Sequence, residues 1–269
     1  MTETKRKGSR SAKDIPTAIM EQLNAGKIET ANLVEWLAVD QKILLKNLLE
    51  EKERTSYLAP ILENIEQLKK QTVNTINEAI GKGLYKQALQ ADDSQFLMEI
   101  VSLPSDLVRC WATYYITCDE NRTLQETLEL IKPFAADGHF GVREISWLSV
   151  RKLISEDISQ SIKILSEWTK SKDENVRRFA SEATRPRGVW CEHIEVLKQQ
   201  PELGLPILEP LRSDKAKYVQ DSVGNWLNDA SKSQPKFVTQ LCEKWRKESP
   251  SKETDYIIKK ALRTIEKKT

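Results

Sequence analysis

With 269 residues, about 30% of them charged, only nine glycines and a net charge of +2, the chain is long enough to bury a core and suits a helical protein with solvated outer faces. No apolar run approaches the roughly 20 residues that span a bilayer, and the N-terminus lacks the apolar core of a secretory signal. Two histidines are too few for a histidine-based metal site, and Cys110, Cys118, Cys191 and Cys242 have neither metal-ligand nor redox spacing, so reduced cysteines in a cytoplasmic protein are expected, with no metal and no cofactor.

The first 13 residues hold five basic side chains (Lys5, Arg6, Lys7, Arg10, Lys13) against one acid, Glu3, which leaves the remainder at −2. They read as a disordered basic arm, either merely solvated or touching phosphates. Residues 14–90 read as a helical cap. Asp14-Ile15-Pro16 offers a helix start, Ile15, Ile19 and Leu23 a stripe, and Asn24-Ala25-Gly26 a stop. Leu44, Leu45, Leu48 and Leu49 stripe another helix. Residues 57–90 predict two more, parted near Gln71 and ending around Gly81 and Gly83. No stretch alternates as a strand would.

From about residue 91 a repeat emerges. Val108, Val142, Val176 and Val219 sit in similar segments at spacings of 34, 34 and 43, and Ala112, Ser146, Ala180 and Val223 follow four places on. Helices such as 124–131 and 158–168 lie between them. That is the period of HEAT-like helical hairpins, which bury their faces only by stacking. The expected fold is all-α: a single HEAT-like solenoid over 14–269, with a cap (14–90), a repeat core (91–250), a C-terminal helix (251–269) and a concave inner surface. The last interval is longer by nine, and the excess falls around Thr184–Trp190. Loops that interrupt a regular scaffold are favoured sites of function.

Asp173–Trp190 is that interruption. Val176, Phe179, Ala180 and Ala183 form an apolar stripe, Arg178, Glu182 and Arg185 fall on the opposite face, Pro186 breaks the helix, and Arg187 and Trp190 follow. On spacing alone Glu182 pairs with Arg178 at i, i+4, worth a few tenths of a kcal/mol. Arg178, Arg185 and Arg187 do not recur along the repeat, and guanidinium forks suit phosphates. Arg109, Arg143 and Arg177 do recur, as a column that bonds a neighbouring repeat's carbonyls or an aspartate ladder, or else faces DNA. Trp147 is out of phase with its helix's stripe of Val142, Ile145, Ser146 and Val150; it packs on the next repeat or stands in the groove. Trp190 is core or a cleft aromatic. The helix from Val219 buries Val219, Val223, Trp226 and Ala230 and presents Asp221, Asn225 and Asn228, with Asp229 at the edge.

Val176–Arg187 followed by Trp190 resembles the hallmark segment of the AlkC branch of bacterial HEAT-like DNA alkylation-repair glycosylases. Ser222–Asp229 looks like a second segment of that branch, an asparagine-rich turn ending in an aspartate, and Phe140-Gly141-Val142-Arg143 like a third. The similarity spans roughly residues 100–240. It implies a DNA glycosylase that removes cationic bases of the 3-methyladenine or 3-methylcytosine type from bent double-stranded DNA held in a concave cleft, as a monomer in the cytoplasm at the nucleoid. Carried over by position, Glu182 is the acidic residue nearest the chemistry, with Asp229 the second carboxylate. Arg143, Arg178, Arg185 and Arg187 would meet the DNA backbone, and Trp147 and Trp190 the lesion or the gap around it. Where the family pattern has a glutamate, this chain has His139; Asn225 is a further candidate. A non-catalytic DNA binder and a protein-interaction solenoid are the rival readings of the same scaffold.

Overall fold

The computed structural model describes residues 6–189 and 191–267. The described residues are all-α, with no strand: α1 (Thr17–Asn24), α2 (Leu33–Ala38), α3 (Gln41–Glu51), α4 (Leu58–Glu66), α5 (Val73–Gln90), α6 (Phe96–Ile100), α7 (Asp106–Thr117), α8 (Leu124–Ala135), α9 (Phe140–Glu156), α10 (Ile158–Trp168), α11 (Glu174–Ala183), α12 (Glu195–Gln199), α13 (Leu205–Leu211), α14 (Lys217–Ser231), α15 (Pro235–Glu248) and α16 (Lys252–Glu266). The chain divides into two compact units. The first runs to Thr123 and includes Asp137–Ser149; the second is Leu124–Ala136 with Val150 onward. Helical hairpins make mostly local contacts, so compact units form along such a chain.

In the first unit, Leu45, Leu49, Ile61, Ile65, Ile80, Leu84 and Trp111 are fully buried. The Trp111 indole N–H is shared by the side-chain oxygens of Gln41 and Asn77, each at 3.0 Å, which satisfies a buried donor. Helix α5 does not stop at its glycines. A Cβ on Gly81 would stand 2.5 Å from the Trp111 carbonyl oxygen, so this glycine admits α7 against α5 rather than ending the helix. Helix α1 begins at Thr17, and Ile15 lies outside it. Residues 6–14 also depart from the expected disordered arm. The Arg6 fork donates to both oxygens of Glu35 at 2.6 Å, the Asn32 amide donates to the Ser9 carbonyl at 2.8 Å, and Ala12–Asp14 form a 3-10 turn. A nearly buried carboxylate on α2 gives this basic segment a partner that composition does not reveal. Residues 1–5, including Lys5, lie outside the described residues.

The repeat has a definite chemistry. Asp137, Asp173 and Asp214 each accept the backbone N–H two residues on, in the turns that enter α9, α11 and α14, and Asp173 is the N-cap of α11. Arg109, Arg143 and Arg177 then reach back to carbonyls six or five residues earlier: Leu103 and Pro104, Asp137, and Ser171 and Lys172. Arg109 also forks onto Asp137 and Arg177 onto Asp214. Gln220, which follows Val219, makes the same six-back and five-back bonds to Asp214 and Lys215. The carbonyls belong to each repeat's own entry turn, and the aspartate to the following repeat. Arg143, expected at the DNA face, stands in this column with its Nη1 on the Asp137 carbonyl.

Burial raises the thiol pKa of Cys110, of Cys118 to about 11 and of Cys242 to about 12, so these cysteines stay protonated and inert. No helix among the described residues is long and apolar enough to cross a membrane.

Candidate active site

The residues that do not recur converge in the second unit, where α11 packs on α14. Asp173 caps α11, and its stripe of Val176, Phe179, Ala180 and Ala183 is buried as the periodicity predicts. The helix ends at Ala183, Thr184 makes a turn and the chain bends at Pro186, whose ring cannot continue the ladder. The Pro186 carbonyl accepts from the Ile194 N–H at 3.1 Å and closes the loop between them.

The opposite face of α11 is not solvated. Arg178, Glu182 and Arg185 are 7%, 5% and 9% exposed, and Asp229, from α14, is 2% exposed. Arg185 bridges the two carboxylates. Its Nη1 donates to Glu182 Oε1 at 2.7 Å, while Nε and Nη2 lie 2.9 and 2.8 Å from Asp229 Oδ2. Arg178 Nη2 stands 3.5 Å from Glu182 Oε2, and its guanidinium lies over the Tyr218 ring at 4.5 Å. Lys232 Nζ donates to Asp229 Oδ1 at 3.2 Å. The Ser222 hydroxyl donates to Glu182 Oε2 at 2.7 Å and accepts from Ser181 Oγ at 2.8 Å.

These contacts set the charge state. Burial pushes the Glu182 carboxyl up, but Arg178, Arg185 and the hydrogen bonds from Arg185 and Ser222 outweigh it, and the net shift is down. Burial likewise works against the Arg185 charge, and Glu182 and Asp229 more than offset it. Glu182 is therefore a carboxylate at neutral pH, able to stabilise positive charge and unable to act as a general acid.

The sequence reading missed Arg151. This residue of α9 is 4% exposed, and its guanidinium donates to the carbonyls of Ala183 (2.9 Å), Arg185 (2.7 Å) and Glu192 (3.0 Å). It ties the end of α11, the proline turn and the loop together, with a cation at a helix C-terminus where the dipole favours one. Burial lowers its pKa. The only sequence signal is its departure from the repeat: it stands one residue after Val150, in no column. The fully buried Thr184 accepts from the Trp226 indole at 3.3 Å and donates to the Ala180 carbonyl, which fixes the same turn.

The other assignments fare differently. Arg178 and Arg185, expected as phosphate-gripping forks, are buried and paired with carboxylates between α11 and α14. Arg187 is half-buried and donates to Ser233 Oγ at 2.7 Å; its Nε is buried without a hydrogen-bond partner among the described residues. Trp190 lies outside the described residues. Ser222–Asp229 is not a turn but the interior of α14. There Asn225 accepts from Arg263, Asn228 donates to Ala261 and Thr264, and Asp221 accepts from Tyr256 and Lys260, so that polar side docks α16.

His139 and Trp147 belong to the first unit. Trp147 is 5% exposed with its indole donating to Glu144 at 2.9 Å, so it packs as core rather than standing in a groove. His139 Nε2 lies 2.9 Å from the Thr30 carbonyl and 3.1 Å from its hydroxyl, and Nδ1 lies 3.4 Å from Asp106. Thr30 itself donates twice to Asp106, whose carboxyl burial raises and His139 and Thr30 lower, with a net rise. The ring pins the 30s segment to the start of α9. Gly141 beside it has a packing reason, since a Cβ there would stand 2.6 Å from Trp36 Nε1.

Comparison with known proteins points the same way. Residues 142–265 match the family described as DNA alkylation repair enzyme, a span that contains Arg178, Glu182, Arg185 and Asp229. The YhaZ protein of Bacillus subtilis (strain 168) is 38% identical over 146 residues, 54% of this chain and 38% of YhaZ. Among solved structures, the alkylpurine DNA glycosylase AlkC of Pseudomonas fluorescens, bound to DNA containing an abasic site analog, superposes with a TM-score of 0.68 at 22% identity, covering 97% of this chain and 66% of AlkC. AlkD2 of Streptococcus mutans does so with a TM-score of 0.56 at 21% identity, over 77% of this chain and 96% of AlkD2. The chain thus spans about two-fifths of YhaZ and just under two-thirds of AlkC, and shares a helical-repeat fold with AlkC and AlkD2.

Proposed function

We propose that this chain is a member of the AlkC/AlkD superfamily of DNA alkylation repair proteins, and that it is a DNA glycosylase that hydrolyses the N-glycosidic bond of cationic alkylated bases of the 3-methyladenine or 3-methylcytosine type in duplex DNA. The observation that carries the reading is the buried carboxylate Glu182, kept ionised against desolvation and coupled through Arg185 to Asp229.

An N3-methylated base leaves as a neutral molecule, taking the C1′–N electron pair, so no general acid is required. The sugar becomes oxocarbenium-like, water adds to C1′, and one proton is lost to solvent. A carboxylate beside that sugar stabilises the developing positive charge and orients the water. Glu182 fits the first role and Asp229 supports it through their shared arginine. Arg187, half-buried at the rim of the turn, is the arginine of the three best placed to meet a phosphate.

The test is release of 3-methyladenine from methylated duplex DNA by wild type and by Glu182→Gln. Base release by wild type that collapses in the variant is expected. Equal rates in the two would remove Glu182 from the chemistry, and no release by wild type would remove the activity toward this lesion.

The pairing of both carboxylates with arginines favours a second reading, a non-catalytic binder of damaged DNA in which the cluster only holds α11 on α14. Under that reading methylated DNA is bound, with salt-sensitive affinity, and no base is released.

A further inference from the structure

We propose that Ser222 is a positioning residue for this reaction: its hydroxyl, oriented in turn by Ser181, fixes the carboxylate plane of Glu182. The proposal rests on the reading of Glu182 as the reacting carboxylate.

Ser222 is 2% exposed and Ser181 fully buried, so water does not compete for either hydroxyl. Glu182 Oε1 is occupied by Arg185 Nη1 at 2.7 Å. At Oε2 the short contact is Ser222 Oγ at 2.7 Å, whereas Arg178 Nη2 stands at 3.5 Å, the limit of a useful hydrogen bond. The two arginines therefore supply most of the charge, while the serine supplies direction at the second oxygen. An ionised carboxylate only accepts, and a hydroxyl has one proton. With the Ser222 proton directed at Glu182, Ser222 accepts at 2.8 Å from Ser181, whose single proton is shared with the Arg178 carbonyl at 3.0 Å. The result is a chain from Ser181 to Ser222 to Glu182 that matches an ionised, accepting Glu182. It also crosses between helices, since Ser181 and Glu182 are on α11 and Ser222 is on α14. A serine that merely filled space between two helices would need neither the short bond to the carboxylate nor a second hydroxyl aimed at it.

Removing the hydroxyl leaves a buried carboxylate oxygen under-satisfied, which favours its proton-bound form. In Ser222→Ala the acid limb of kcat/KM for base release moves to higher pH by about one unit. At neutral pH, where Glu182 is still ionised, kcat falls about tenfold with KM nearly unchanged, because the carboxylate is no longer held in one orientation. Ser222→Thr, which keeps the hydroxyl, restores both. Ser181→Ala shifts the limb in the same direction by less.

Titration of the Glu182 carboxyl carbon by NMR in full-length protein labelled at glutamate reads the same shift without any assay of activity. A Glu182 titration that moves up in Ser222→Ala and is restored in Ser222→Thr is expected. Should Ser222→Ala not fold, Ser181→Ala carries the test. Titration midpoints within error of wild type in the folded variants overturn the proposal, even in an active enzyme. Conversely, equal base release by wild type and Glu182→Gln defeats the catalytic reading while the titration still reports on the Ser222 contact.

Discussion

Two sets of arginines, adjacent in the sequence at Arg177-Arg178, do opposite things. Arg109, Arg143 and Arg177 recur with the repeat; each folds back on its own entry turn, and Arg109 and Arg177 also clasp the next repeat's aspartate. Arg178 and Arg185 do not recur, and they sit inside the helix packing facing Glu182 and Asp229. Arg177 and Arg178 are adjacent, yet 100° of helical rotation separates a scaffold clasp from the candidate site. Recurrence therefore marks what holds the scaffold together, and departure from it marks where chemistry can be placed.

The sharpest way to break this contrast is Arg185→Ala. It leaves two buried carboxylates facing each other without their shared cation, and a loss of about 3–5 kcal/mol in stability is expected from urea unfolding at pH 7. A loss under 1 kcal/mol would mean the cluster is more solvated than its burial implies. Next comes Glu182→Gln, which keeps the shape and removes the charge. Base release should drop about 100-fold, equivalent to about 2.7 kcal/mol of transition-state stabilisation, in a single-turnover assay.

Arg177→Ala should do the reverse. It removes two carbonyl bonds and an aspartate pair, so unfolding should be easier by about 2 kcal/mol, while the single-turnover rate at a temperature where the variant is folded stays within about twofold of wild type. A rate loss like that of Glu182→Gln would erase the distinction between column and cluster.

The smallest effect is the pH dependence. The folded Glu182 carboxyl titrates below its unfolded value of about 4.3, so its contribution to stability is fully present above that pH and is lost as pH falls through the folded value. Thermal unfolding followed from pH 7 to pH 3 should show wild type losing more of its Tm than Glu182→Gln does. Parallel curves would mean that Glu182 is not held as a buried carboxylate.

Much of this was legible from periodicity. The stripes of α3, α11 and α14, the 34-residue spacing and the break at Pro186 follow from residue type and helical geometry, and those faces are buried. What periodicity does not supply is a partner from elsewhere in the chain. Arg6 found Glu35, 29 residues on; Arg185 found Asp229, 44 residues on; Asn225 found Arg263, 38 residues on. Gly81 and Gly83 looked like stops because a glycine's missing side chain is visible in sequence, whereas the helix that packs into its place is not.

By itself the sequence determined an all-helical chain of repeated hairpins and the place where the repeat is interrupted, since both depend on periods of 3.6 and 34 that need no partner to be read. Only the tertiary structure decided what the interruption does with its charges. Glu182 and Arg178 at i, i+4 predict a solvated pair worth a few tenths of a kcal/mol. Packing α14 against α11 removes the water and adds Asp229 and Ser222. In that low-dielectric setting the pair becomes a buried, oriented carboxylate whose charge depends on every neighbour.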